Sequence, residues 1–120
     1  MKMGRKITGG KYHKLRKRKS YENRNNAHVS VLGETKTKKV RTMGGNIKMA
    51  LLRTNEANLS IAPGKIQKSK IINVVETPQN RFFSRENKLM QGAIIETEKG
   101  KAKITNRPSQ DGHVNAVLVK

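Results

Sequence analysis

The chain has 120 residues, of which 27 are Lys or Arg and eight are Asp or Glu, giving a formal charge of +19, so its natural partner is a polyanion. With no Cys, it has no disulfide, thiolate nucleophile or Cys-based zinc site, which argues against a secreted, disulfide-stapled scaffold. Its longest apolar runs, such as Met49-Ala50-Leu51-Leu52 and Ala116-Val117-Leu118-Val119, are too short to cross a bilayer, and the charged N-terminus is not followed by a signal-peptide core, so the expected location is intracellular, with no membrane partner.

The charge is uneven along the chain. Residues 1–53 carry 16 bases against Glu22 and Glu34, while residues 54–120 carry 11 bases against six acids. In the first segment Arg5, Lys6, Lys11, Lys14, Arg16, Lys17, Arg18 and Lys19 space cations a few ångströms apart, comparable to phosphates along a nucleic-acid strand. Apolar periodicity is missing there, so the segment repels itself and is expected to stay extended and disordered when free. Gly9-Gly10 is a flexible point within it. Tyr12 and Tyr21 have no apolar neighbours to form a core with, and suit stacking on an unpaired base or packing on a ribose. Residues 16–24 are able to form a short helix once phosphates neutralise their charge, but not alone. Residues 23–26 are turn-prone and read as a hinge. The division expected is a basic arm over 1–26 and a compact domain over 27–120.

Within that domain, apolar residues recur at intervals of two: Val29 and Val31; Ile47, Met49 and Leu51; Leu59 and Ile61; Val114, Ala116 and Leu118. The runs Ile71-Ile72-Asn73-Val74-Val75 and Ala93-Ile94-Ile95 suit strands buried on both faces or at barrel corners. Ala62-Pro63-Gly64-Lys65 fits a type II turn, Glu98-Lys99-Gly100 fits a hairpin between 94–97 and 101–105, and Asp111-Gly112 opens a last strand. Helical stripes are absent. The predicted class is all-β: a small closed or partly open barrel of about six short strands with an extended basic arm.

The most pointed segment runs Lys38-Lys39-Val40-Arg41-Thr42-Met43-Gly44-Gly45-Asn46-Ile47-Lys48-Met49-Ala50-Leu51-Leu52-Arg53. Two uses are open to it. Gly44-Gly45 lets the backbone come close to a sugar-phosphate strand, with Arg41 and Lys48 flanking the contact, or it is a plain hairpin turn between solvated charges. It is not a nucleotide-binding P-loop, because no Gly-Lys-Ser/Thr follows. Phe82-Phe83, between Arg81 and Arg85, offers another stacking surface, although alternation along a strand would send one ring into the core. His13, His28 and His113 lack metal-ligand spacing and read as surface or phosphate-contacting residues. Glu96 and Glu98 are better explained by ion pairing with Lys99, Lys101 and Lys103 than as an acid–base pair. No catalytic constellation is present, and no cofactor or small-molecule substrate is expected.

Five blocks carry a resemblance: Gly9-Gly10-Lys11-Tyr12-His13; Lys39-Val40-Arg41-Thr42-Met43-Gly44-Gly45-Asn46-Ile47-Lys48; Val74-Val75-Glu76-Thr77-Pro78-Gln79-Asn80-Arg81; Gly92-Ala93-Ile94-Ile95-Glu96-Thr97-Glu98-Lys99-Gly100; and Arg107-Pro108-Ser109-Gln110-Asp111-Gly112-His113-Val114-Asn115-Ala116-Val117-Leu118. In this order and at this spacing the chain resembles the archaeal form of the "eight-e" family of small-subunit ribosomal proteins. Its departures are a missing Trp near Lys2-Met3-Gly4, a missing Pro before Gly9, and a less basic Thr42-Met43.

The resemblance implies a cytoplasmic structural protein of the small ribosomal subunit. It implies a β-barrel with an N-terminal extension threaded into ribosomal RNA, no catalysis, and neighbouring ribosomal proteins as further partners. It tilts Gly44-Gly45-Asn46 toward an RNA contact. The RNA-binding residues expected are Arg5, Lys6, Lys11, Tyr12, His13, Lys14, Arg16, Lys17, Arg18, Lys19, Tyr21, Lys39, Arg41, Gly44, Gly45, Asn46, Lys48 and Arg53. Composition alone leaves open a DNA-compacting protein, because a basic tail on a small domain also suits duplex phosphates.

Overall fold

The computed structural model describes residues 4–23 and 26–119. Three strands form an open sheet: β1 (Val31–Leu32), β2 (Lys36–Arg41) and β3 (Ile47–Thr54), in the order β1-β3-β2. Five more, β4 (Glu56–Ala62), β5 (Lys65–Glu76), β6 (Ile94–Thr97), β7 (Gly100–Ile104) and β8 (Asn115–Leu118), close into a barrel. Neighbours pair antiparallel around the barrel until β8 returns to lie parallel to β4, with Leu59 opposite Ala116. Closure leaves no unpaired barrel edge for another chain to extend.

β5 makes closure possible because it is long enough to serve two partners. Its first half pairs with β4 and its second half with β6, and the register shifts between Ile71 and Asn73 and again between Val74 and Glu76. Each irregularity bends the strand and increases its twist, so one strand turns a barrel corner. The buried positions follow this backbone. Ser69 and Ile71 are buried at an interval of two, and the next buried residue is Val74, one step late, where the shift falls.

Elsewhere the interior keeps strict alternation: Ala57 and Leu59, Ile95 and Thr97, Ala102 and Ile104, Val114 and Ala116. Four alanines among the core residues suit the narrow lumen of a five-stranded barrel, which the Leu, Ile and Val side chains fill. Leu51 from β3 and Leu89 from the β5–β6 connection join the same core. The open sheet is thereby tied to the barrel, and β3 passes into β4 through Asn55 alone.

Several expectations are corrected. Of the two uses open to Ile71-Ile72-Asn73-Val74-Val75, burial on both faces fails, since Ile72 is 59 % and Val75 43 % exposed, and the run lies instead at the barrel corner where β5 bends. Val29 lies outside any strand; its neighbour Ser30 is buried and donates to the Leu51 carbonyl at 2.7 Å. Two short helices were not anticipated, α1 (Arg81–Arg85) and α2 (Pro108–Asp111). In α1 the Asn80 side chain caps the start by accepting from the Phe82 amide at 3.0 Å. Phe82 and Phe83 therefore belong to a helix and not a strand, and neither reaches the core. Pro108 opens α2 and Gly112, at φ 80°, ends it. Glu96 stands opposite Lys101 in register, but among the described residues neither Glu96 nor Glu98 makes an ion pair; Lys99 donates instead to Gln67.

Two turns form where they were placed. Pro63-Gly64 joins β4 to β5 with Gly64 at φ 78°, and Glu98-Lys99 joins β6 to β7. The hinge expected over 23–26 includes Arg24 and Asn25, which lie outside the described residues, and so does the end of the helix expected over 16–24. Within the described part of that stretch, only Ser20–Glu22 forms a 3-10 turn.

Candidate nucleic-acid interface

Every described residue from Gly4 to Asn23 is exposed except Glu22, which is half-buried. Two local devices shape this segment. At its start the Lys6 amide donates to the Gly10 carbonyl and the Gly9 amide to the Lys6 carbonyl, both at 2.9 Å, with Gly9 at φ 81°. This small loop brings Arg5 beside Lys11 and places the Lys6 ammonium 5.6 Å from the centre of the Tyr12 ring. Farther on, the Glu22 carboxylate accepts both Arg16 nitrogens at 2.7 Å and the Lys19 amide at 3.1 Å. The Arg16 guanidinium, and then the Lys19 amide, hold the Glu22 carboxyl below its usual range, and the same pair raises Arg16.

Arg16 is thus matched by the only acid in the arm. Among the described residues, the other ion pairs are Lys68–Glu56 and Lys88–Glu86, so Arg5, Lys6, Lys11, Lys14, Lys17, Arg18 and Lys19 have no carboxylate partner there. Lys14, Lys17 and Arg18 are exposed and make no side-chain hydrogen bond among the described residues, and His13 is likewise exposed. Tyr21 is exposed, with the Lys19 ammonium 5.7 Å from its ring centre.

The second basic element is the β2–β3 hairpin. β2 has no buried residue; only Val40 is even half-buried. A strand with no apolar face is held by its ladder to β3 and not by burial, which leaves its cations to solvent. Cross-strand partners share a face, so Lys39 with Met49 and Arg41 with Ile47 line one side while Lys38 with Ala50 and Val40 with Lys48 line the other. Arg41 and Lys48 therefore flank the connecting loop from opposite faces. Lys48 reaches back to Gln110 of α2 at 3.4 Å.

The loop itself is a tight turn in which Gly44 and Gly45 take φ 76° and 78°. Side chains rarely adopt this left-handed region, and glycine does so without strain. The Thr42 amide donates to the Asn46 carbonyl at 2.7 Å and closes the turn, while the Asn46 side chain donates to the Met43 carbonyl at 3.5 Å. A Cβ at Gly45 would meet nothing within 4 Å, so the backbone there faces open space. Arg53 is not part of this group. It sits at the other end of β3, opposite Lys36, roughly 20 Å along the strand.

An open cleft of about 420 Å³ lies between the root of the arm and β2, lined by Asn26, Ala27, His28, Lys38, Lys39, Val40 and Arg41. It lays residues 26–28 beside the cations of β2. Asn26 and Lys38 were missed by sequence reasoning; Lys38 was visible within the basic run, whereas Asn26 and the placement of His28 emerge only when residues 26–28 are laid beside β2. Among the described residues no cluster of His, Asp and Glu could hold a metal, and no helix is long and apolar enough to cross a membrane.

The full span of the chain, arm and barrel together, matches one family model, described as ribosomal protein S8e, over residues 1–119. The chain belongs to the S8e family. It is 45 % identical to the small ribosomal subunit protein eS8 of Methanocorpusculum labreanum over 97 % of this chain and 94 % of that one. It is 47 % identical to the eS8 protein of Methanococcus aeolicus, covering 96 % of this chain and 91 % of that one, and 44 % identical to that of Nanoarchaeum equitans, covering 97 % and 92 %. The resemblance seen in the five sequence blocks is therefore a family relationship. Each of these relatives is named as a protein of the small ribosomal subunit.

Proposed function

We propose that this S8e protein is a cytoplasmic structural constituent of the small ribosomal subunit and binds ribosomal RNA by neutralising its phosphates. Residues 1–26 act as the RNA-binding arm, disordered in the free protein apart from local contacts such as the Arg16–Glu22 pair, and residues 27–120 act as the docking domain. The observation that carries this reading is the row of arm cations, solvent-exposed and, Arg16 apart, without carboxylate partners among the described residues, together with the uncovered basic strand β2. The names of the relatives supply the setting.

In this reading Arg5, Lys6, Lys11, His13, Lys14, Arg16, Lys17, Arg18 and Lys19 track the RNA backbone, while Tyr12 and Tyr21 pack on riboses or unpaired bases. Lys39 and Arg41 on one face of the hairpin and Lys48 on the other flank the phosphates approached by the Gly44-Gly45-Asn46 loop. Arg53, at the far end of β3, makes a separate contact. Neighbouring ribosomal proteins are further partners. Catalysis plays no part, because charge neutralisation lets RNA strands pack closely without any bond being made or broken.

Sedimentation tests the reading. Tagged protein expressed in an archaeal host should travel with small subunits, be released by ribonuclease and be unaffected by DNase. Release by DNase alone would instead identify a DNA-compacting protein.

A further inference from the structure

Phe82 is 49 % exposed on α1, and the Arg81 and Arg85 guanidinium carbons lie 5.1 and 5.7 Å from its ring centre. Phe83, half-buried beside it, has the Lys88 ammonium 4.2 Å from its own ring centre. An apolar ring in a cationic setting is a poor match for a protein core, which would supply apolar neighbours on all sides. It suits a ligand that presents a flat π-face and an anion together. The surface also adjoins the first strand of the domain. The Leu89 amide donates to the Ser30 carbonyl at 2.8 Å, the Leu32 amide to the Asn87 carbonyl at 3.0 Å, and Lys88 bridges Val31, so the segment after α1 is held against the first residues of the domain.

From this we propose that α1 is a second RNA site, a clamp for one unpaired nucleotide, in which a base stacks on Phe82 while Arg81 and Arg85 swing from the ring to the flanking phosphates. The proposal rests on the RNA-binding role proposed above and adds to it a preference for single-stranded over duplex RNA. A duplex offers phosphates to the arginines but no free base to the ring, whereas every unpaired base has a π-face to offer.

The test uses the full chain, a labelled oligouridine of about twelve nucleotides and a blunt RNA duplex of the same length, at about 0.3 M salt to suppress the contribution of the arm. Phe82→Leu keeps an apolar side chain at a half-exposed position and should fold with an unchanged melting temperature. It should weaken oligouridine binding roughly tenfold and leave duplex binding unchanged. Phe82→Trp should restore the affinity, and its indole, the only one in the chain, should be quenched by oligouridine and not by the duplex. Equal oligouridine binding by folded wild type and Phe82→Leu, with an unquenched indole, overturns the clamp but leaves the phosphate-neutralising arm intact. Unchanged RNA affinity combined with poor incorporation of Phe82→Leu into small subunits also overturns it, because α1 would then face a protein. Wild-type protein that binds neither RNA at this salt overturns the clamp, and failure to bind either at about 0.05 M salt as well overturns both readings.

Discussion

At the scale of single residues, Gly45 separates a turn from an RNA contact. Its φ of 78° requires a residue that tolerates the left-handed region, and its missing Cβ points into open space. Asn tolerates that region better than other residues with a side chain, so Gly45→Asn should keep stability within about 1 kcal/mol while placing an amide where a phosphate would approach. RNA affinity should fall more than tenfold. Lys48→Ala should likewise leave melting unchanged and lower affinity severalfold, and normal affinity in both folded variants would remove the loop from the interface.

Glu22 yields a prediction in pH. Its carboxyl is held below the ordinary 4.5 by Arg16 and the Lys19 amide, so the pair is formed above that value and is lost as pH falls through the depressed one. A carboxyl titration followed by NMR should place the Glu22 midpoint below 4.5, and Arg16→Gln should bring it back up; a midpoint at the ordinary value in the wild type would deny the pair. The glycine pair was legible in the sequence because few residues suit such a turn. The Arg16–Glu22 pair was not, since nothing in a run of alternating bases specifies which one folds back.

At the scale of elements, legibility followed the source of each element's stability. β4, β6, β7 and β8 are half-buried, so their alternation shows in the residues. β2 was legible only through the hairpin turn that Gly44-Gly45 allows, because it buries no side chain and exists through its ladder with β3. The helices α1 and α2, at five and four residues, are too short to display a stripe, although Pro108 and Gly112 mark the ends of α2. Gly112 also packs tightly. A Cβ there would lie 2.9 Å from the Met49 Cβ and 3.1 Å from its carbonyl oxygen, at a φ that disfavours side chains. Gly112→Ala should therefore cost about 1–3 kcal/mol in urea denaturation by pushing α2 away from β3, and a change under about 0.5 kcal/mol would mean that the α2–β3 packing is slack.

At the scale of the molecule, the Cα radius of gyration is 21.3 Å, against roughly 14 Å for a compact chain of this length. The excess reflects an exposed segment with no core of its own beside a barrel that has one. Composition made that asymmetry readable, because charge without apolar residues cannot bury anything. The number of barrel strands was less readable. Closure depends on pairings distant in sequence, such as β8 with β4, and on the bend in β5, and local periodicity encodes neither. The central claim is that the arm and the β2–β3 hairpin neutralise RNA phosphates together. Its most direct test is the salt dependence of binding to small-subunit ribosomal RNA, comparing the wild-type chain with a full-length variant in which Arg5, Lys6, Lys11, Lys14, Lys17, Arg18 and Lys19 are replaced by Gln. With roughly ten phosphates neutralised, the wild-type plot of log K against log salt should slope by about −7 to −9, and the variant slope should be about half as steep. An equal slope for the two proteins would contradict the account.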